Sequence, residues 1–249
     1  ANQLACSGVK MPTEVGREWD GWRKSANLFM AKTAKVIKWP IGILVFAMIP
    51  AAIMSILDIV SSISGNWLEF GSLVVGIGLY SLIRYAFLGE QSWIRTLEVL
   101  HHELIHAAVA IASFCTIEEI KATRSSGGHV KYRGEGNWLI TLSPYFLPLI
   151  PLIFACISIF IENPYSYVAI AMTGFSMGFY YVSLRDDLHM HQTDLKKVGL
   201  PFILVFIIPA NIIVIYLVTL VSINGGEGFT IWAESILTNT VDFIRTQIA

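Results

Sequence analysis

Three residues whose spacing spells out a chemistry lie near the middle of the chain. In His102-Glu103-Leu104-Ile105-His106 two histidines stand four residues apart. On a helix both imidazoles then project from one face and can close on one divalent ion, with zinc held at about 2.0–2.1 Å from each nitrogen. Glu103 is turned about 100° from His102 around the helix, which puts its carboxylate beside the metal rather than on it. A glutamate so placed takes a proton from water and returns it to a leaving amine. That is the chemistry of a metal-dependent hydrolase. His101 points about 100° away from His102 in its turn and reads as a packing residue.

A catalytic zinc usually takes three protein ligands and leaves its fourth position open. Spacing leaves the third one undecided. The candidates are Asp186, Asp187, His189, His191 and Asp194, all following one long apolar stretch, and His129, which lies nearer the motif. Asp186 and Asp187 could equally cap a helix or pair with Arg185, and His189 and His191 could be solvated surface residues.

The elements that must position these groups are apolar. Of 249 residues 55% are apolar and 14% charged, against about 25% charged in an ordinary soluble domain. Seventeen basic residues face eighteen acidic ones, for a net charge of -1, so no field exists to attract nucleic acid. Windows of about 20 residues, the length needed to cross the hydrocarbon of a bilayer, predict six spans at residues 41–64, 70–88, 92–115, 138–161, 165–184 and 201–223. The chain is thus predicted to be an all-α polytopic membrane protein, in which Pro50 kinks the first span and Arg84 snorkels from the end of the second. The histidine motif falls inside the third. An ionisable residue at mid-span costs at least about 2.5 kcal/mol on insertion scales, so the cluster there calls for a metal or for partners. Cys6, Cys115 and Cys156 are far apart, match no disulfide or metal spacing, and read as small core residues.

Three segments follow: residues 1–40, a basic amphipathic stretch suited to a membrane surface; 41–223, the membrane-embedded domain; and 224–249, a second amphipathic stretch. Residues 116–123 and 128–132 alternate in strand fashion around Ser125-Ser126-Gly127-Gly128, which predicts a β-hairpin between the third and fourth spans. Its edge strand, with Gly128, His129 and Val130, would hold an extended substrate by strand addition. A plain surface hairpin is the competing reading.

Four stretches together resemble the site-2-protease-like intramembrane zinc metalloproteases, and more closely their small bacterial members without a PDZ domain. They are the His102 to His106 motif, Gly127-Gly128-His129-Val130, Ser143-Pro144-Tyr145-Phe146 and Gln192-Thr193-Asp194-Leu195, spread over residues 92–199. The resemblance implies a zinc endopeptidase of the bacterial inner membrane that cuts membrane-embedded or membrane-proximal proteins. His102, His106 and Asp194 would be its zinc ligands, and Glu103 its base and acid. One departure is plain: the group's aspartate precedes a glycine within a span, whereas Asp194 precedes Leu195 in a polar stretch. Two other classes compete. A membrane di-iron oxidase needs more than the six histidines present. A protease-like scaffold or accessory subunit of a membrane complex would suit the amphipathic ends but has no need of Glu103.

Overall fold

The structure, a computed structural model, describes residues 13–88, 92–123, 127–188 and 193–248. It is mostly helical. The order is α1 (Thr13–Ala47), α2 (Ile49–Met54), α3 (Ile56–Gly65), α4 (Trp67–Leu82) with a π-helical turn (Ile83–Leu88), α5 (Ser92–Ala112), β1 (Thr116–Thr123) and β2 (Gly127–Arg133). Then come α6 (Trp138–Leu142) with a 3-10 turn (Ser143–Tyr145), α7 (Leu149–Ser158), α8 (Ser166–Asp187), α9 (Thr193–Val198), α10 (Leu200–Asn224) and α11 (Glu227–Ile248).

Among the described residues four helices are long and apolar enough to cross a membrane: Asp20–Met54, Trp67–Ala86, Ser166–Asp187 and Leu200–Asn224. A fifth arises if Trp138–Tyr145 and Leu149–Ser158, bent by 71°, count as one. The expected six-span count therefore changes at two places. The third expected span is α5, a full helix of 21 residues whose Arg95, Glu98, Glu103 and histidines dilute its apolar character. The fourth is the bent pair, broken where Pro144 and Pro148 remove two helical N–H donors. The exposed faces of the long helices carry Ile43, Leu44 and Phe46 on α1 and Val75 and Leu79 on α4. Apolar side chains on an outer face are what a bilayer solvates.

The first span also differs in shape from its expectation. Helix α1 continues past Pro40 to Ala47, and Pro50 enters at the start of α2. The basic amphipathic part is thus continuous with the span. It docks on the protein: Arg23 Nε and Nη2 donate to the carbonyls of Phe114 and Cys115 at 3.1 and 2.6 Å, and Asn27 Nδ2 donates to that of Ser113 at 2.9 Å. These bonds fix the sharp exit from α5, where Phe114 takes a left-handed φ of 62° that a non-glycine residue holds only when its surroundings impose it.

Two packing centres bear most directly on the position of the site. Helices α4 and α8 cross so closely that a Cβ on Gly76 would overlap the Ala171 carbonyl, and one on Gly174 the Leu73 carbonyl. Small residues permit such backbone contact between apolar helices. The second centre is aromatic: Trp138, Phe202 and Phe206 lie 5.0–5.3 Å apart by ring centroid, and Leu195 of α9 is buried with them. Helix α11 lies against α2 and α10 through buried Ile236 and the bonds from Ser235 and Asn239 to Ser55 Oγ at 2.6 and 3.0 Å.

Two expectations about single residues need correction. Arg84 does not snorkel; it is 9% exposed and its Nε lies 3.4 Å from Glu98 Oε1. Cys115 is buried but Cys156 is exposed, and Cys6 lies outside the described residues. The hairpin forms as an antiparallel pair with Gly128 opposite Ala122, His129 opposite Lys121 and Val130 opposite Ile120.

Candidate metal centre

Helix α5 presents His102 and His106 on one face, with ring centroids 4.9 Å apart. Asp194 meets them from α9. One ligand atom from each of the three lies within 4.8 Å of the others, and His106 Nε2 is 3.3 Å from Asp194 Oδ2. Two ligands of a tetrahedral zinc with bonds near 2.05 Å stand about 3.3 Å apart.

The other ring nitrogens say which atoms face the centre. His106 Nδ1 lies 2.7 Å from the Ile140 carbonyl oxygen. A carbonyl can only accept, so Nδ1 carries the proton and Nε2 presents a lone pair. His102 Nδ1 lies 3.1 Å from Asp187 Oδ2, and the same reasoning leaves its Nε2 bare. In its neutral form His106 aims a lone pair at the Asp194 carboxylate across 3.3 Å, and in its protonated form it donates there. Two acceptors that close repel unless a cation lies between them. Burial alone would raise the Asp194 carboxyl, but a protonated His106 donating across 3.3 Å and Lys197, 3.2 Å away, outweigh it and hold the group below its ordinary value. The donor set, two imidazoles and an ionised carboxylate, fits zinc.

Sequence explains each of these placements. Pro144 has no N–H, and it stands four residues after Ile140, whose carbonyl consequently has no helical donor. That carbonyl is free to accept from Ser143 Oγ at 2.9 Å and from His106. Asp187 ends α8 and is gripped by Arg95 Nη2 at 3.2 Å. Arg95 also reaches Glu98 Oε2 at 3.3 Å, and Glu98, fully buried, meets Arg84 from the opposite side. This makes a continuous chain of charge behind His102. Asp194 is set by its neighbour Leu195, whose burial in the aromatic cluster pins α9.

Glu103 is 7% exposed, and its carboxylate has no hydrogen bond or ion pair among the described residues. Strand β2 lies against it. A Cβ on Gly128 would come 2.5 Å from Glu103 Cγ and 2.6 Å from its Oε1, so only glycine lets the strand approach this far. His129 turns outward, exposed, with Nε2 3.8 Å from Glu119 Oε2. Val130 is half-buried.

Of the third-ligand candidates the structure thus brings Asp194 to the histidines, gives Asp187 a supporting place behind His102, and leaves His129 on the outer side of the hairpin. Asp186 contacts Arg185 and Arg84. His189 and His191 lie outside the described residues. His101 packs edge-on against Phe179 at 5.1 Å, as its helical angle predicts. The reading from sequence missed Glu98 and Arg95. Their signal was present: Glu98 stands one turn before His102, and a glutamate flanked by arginine inside an apolar helix needs an inward partner.

No family model, curated protein or solved structure matches this chain.

Proposed function

We propose that the chain is an integral-membrane zinc-dependent endopeptidase acting on membrane-embedded or membrane-proximal proteins. One observation carries this reading: ring nitrogens of His102 and His106 and a carboxylate oxygen of Asp194 come within 4.8 Å of one another beside a buried Glu103 that has no hydrogen bond or ion pair among the described residues. Zinc held by His102, His106 and Asp194 would supply Lewis acidity toward a peptide carbonyl and bring the ionisation of water close to neutral pH.

The protein does the rest. Asp187 and the Ile140 carbonyl hold both imidazoles in one tautomer and one orientation. Glu103 takes the proton of the attacking water and delivers it to the departing nitrogen. Strand β2, which has no second neighbour among the described residues, offers free N–H and C=O groups beside Glu103. A substrate helix has every carbonyl already bonded, and pairing with such an edge keeps a short stretch unwound during cleavage.

In this reading α5 and the bent α6–α7 pair complete six crossings, with the hairpin between the third and fourth, and a bacterial cell would carry the chain in its inner membrane. A di-iron oxidase finds less support, because one His/His/Asp group gathers among the described residues. The test compares wild type with Glu103→Gln in liposomes containing co-reconstituted single-span proteins. Zinc content should be equal, near one per chain, and product formation should fall by about 10²–10⁴-fold. Cleavage by the variant at the wild-type rate would sink the proposal. A screen with no product dependent on Glu103 would favour a scaffold subunit instead.

A further inference from the structure

We infer that the cleft between α1 and the segment joining β2 to α6 binds the phosphate headgroup of an anionic phospholipid. The cleft has a volume of about 410 Å³ and is lined by Leu28, Lys32, Lys35, Lys38, Glu135 and Trp138 among others. Three ammonium groups thus stand against one carboxylate. The lysines recur every third residue of α1 and form a slanting row about 9 Å long at 1.5 Å per residue.

The three lysines differ. Lys38 is committed: its Nζ donates to the Val198 carbonyl at 2.8 Å and sits 4.8 Å from the centre of the Phe202 ring. Lys32 and Lys35 are exposed and have no acidic partner among the described residues. Trp138 supplies an apolar wall, because its indole N–H is already donated to the Ala34 carbonyl at 2.6 Å.

The level of the cleft selects the ligand. Lys38 is the last charged residue of α1; before it the lysines alternate with exposed Phe29 and Val36, and beyond it the outer face is uncharged, with Trp39 47%, Ile43 61% and Leu44 58% exposed. The hydrocarbon core of a bilayer is about 30 Å thick and the whole bilayer about 40–45 Å, which leaves about 5–8 Å for each headgroup layer. A lysine row about 9 Å long by the helical rise, ending where the uncharged stretch begins, spans that layer. Trp39 occupies the boundary where interfacial aromatic residues gather. A phosphodiester between Lys32 and Lys35 would direct its acyl chains along Ile43 and Leu44. The site depends on the chain lying in a membrane and not on peptidase activity.

The test uses the full chain in nanodiscs and measures retention of phosphatidylglycerol against phosphatidylcholine of the same acyl chains by native mass spectrometry. Lys32→Gln/Lys35→Gln is compared with Lys24→Gln/Lys121→Gln, which removes the same charge from two other exposed positions. A lysine near an anionic headgroup contributes about fivefold in affinity, so the first pair should lose at least tenfold of the preference while the second keeps it. Circular dichroism and zinc content should be unchanged in both. Equal retention of the two lipids by wild type, or an undiminished preference in Lys32→Gln/Lys35→Gln, overturns the inference. Displacement of the lipid by millimolar inorganic phosphate would make this a soluble-anion site and overturn it as well.

Discussion

Asp187 does for His102 what the Ile140 carbonyl does for His106, but with a charge. The carboxylate accepts from Nδ1, orients the ring and is itself held by Arg95. Partners of this kind typically contribute 10–100-fold to metal affinity. Asp187→Asn keeps the size and removes the charge, so its zinc affinity, measured by competition with a chelating dye, should fall by about that factor. Asp194→Asn replaces the carboxylate proposed as the third ligand with a neutral amide and should fall further. If Asp187→Asn binds zinc as wild type does, the charge chain from Arg84 through Glu98 and Arg95 is structural only. At this scale much was legible from sequence. Two histidines one turn apart fix their own geometry, and Glu103 follows from the angle of the helix. The choice among Asp186, Asp187 and Asp194 was not legible by spacing, because it depends on how α8 ends and α9 begins, which helical periodicity does not encode.

Elements bring these residues together through two devices, a proline and a glycine. Pro144 frees a carbonyl for His106, and Gly128 lets a strand lie on Glu103. Gly128→Ala tests the second. Its new Cβ would stand 2.6 Å from Glu103 Oε1, so either the strand lifts or the carboxylate moves. Misplacement of a reacting group by about 1 Å costs up to 10²-fold. We expect zinc content to be unchanged and cleavage to fall at least tenfold; an unaffected rate would mean that β2 takes no part in holding substrate. The alternation of residues 116–132 made the hairpin legible. Its register against α5 was not, since nothing local says which glycine meets which helix residue. The bend at Pro144 was likewise hidden inside a window apolar enough to be read as one straight span. Helix α5 has the length of a span, but its Arg95, Glu98, Glu103 and histidines lower its mean hydropathy, so length and composition give opposite answers there.

For the whole molecule, the centre is a junction of four elements. Helix α5 brings two imidazoles, α9 a carboxylate, α6 a carbonyl and α8 the aspartate behind His102. The aromatic cluster of α6, α9 and α10 and the glycine crossing of α4 and α8 hold those elements from outside the site. A metal bound at such a junction stabilises the fold by mass action, because the unfolded chain cannot assemble the three ligands. At a free zinc concentration one hundred times the dissociation constant the gain is about 2.7 kcal/mol. For a chain of this size each kcal/mol raises the melting temperature by about 2–4 °C, so saturation should raise it by about 5–11 °C. Differential scanning in detergent, with zinc added back after chelation, measures that shift. It should persist in Glu103→Gln, which leaves all three ligands in place, and disappear in His106→Ala and in Asp194→Ala. A full shift retained in Asp194→Ala would reject α9 as the source of the third ligand and move the search to His189 and His191.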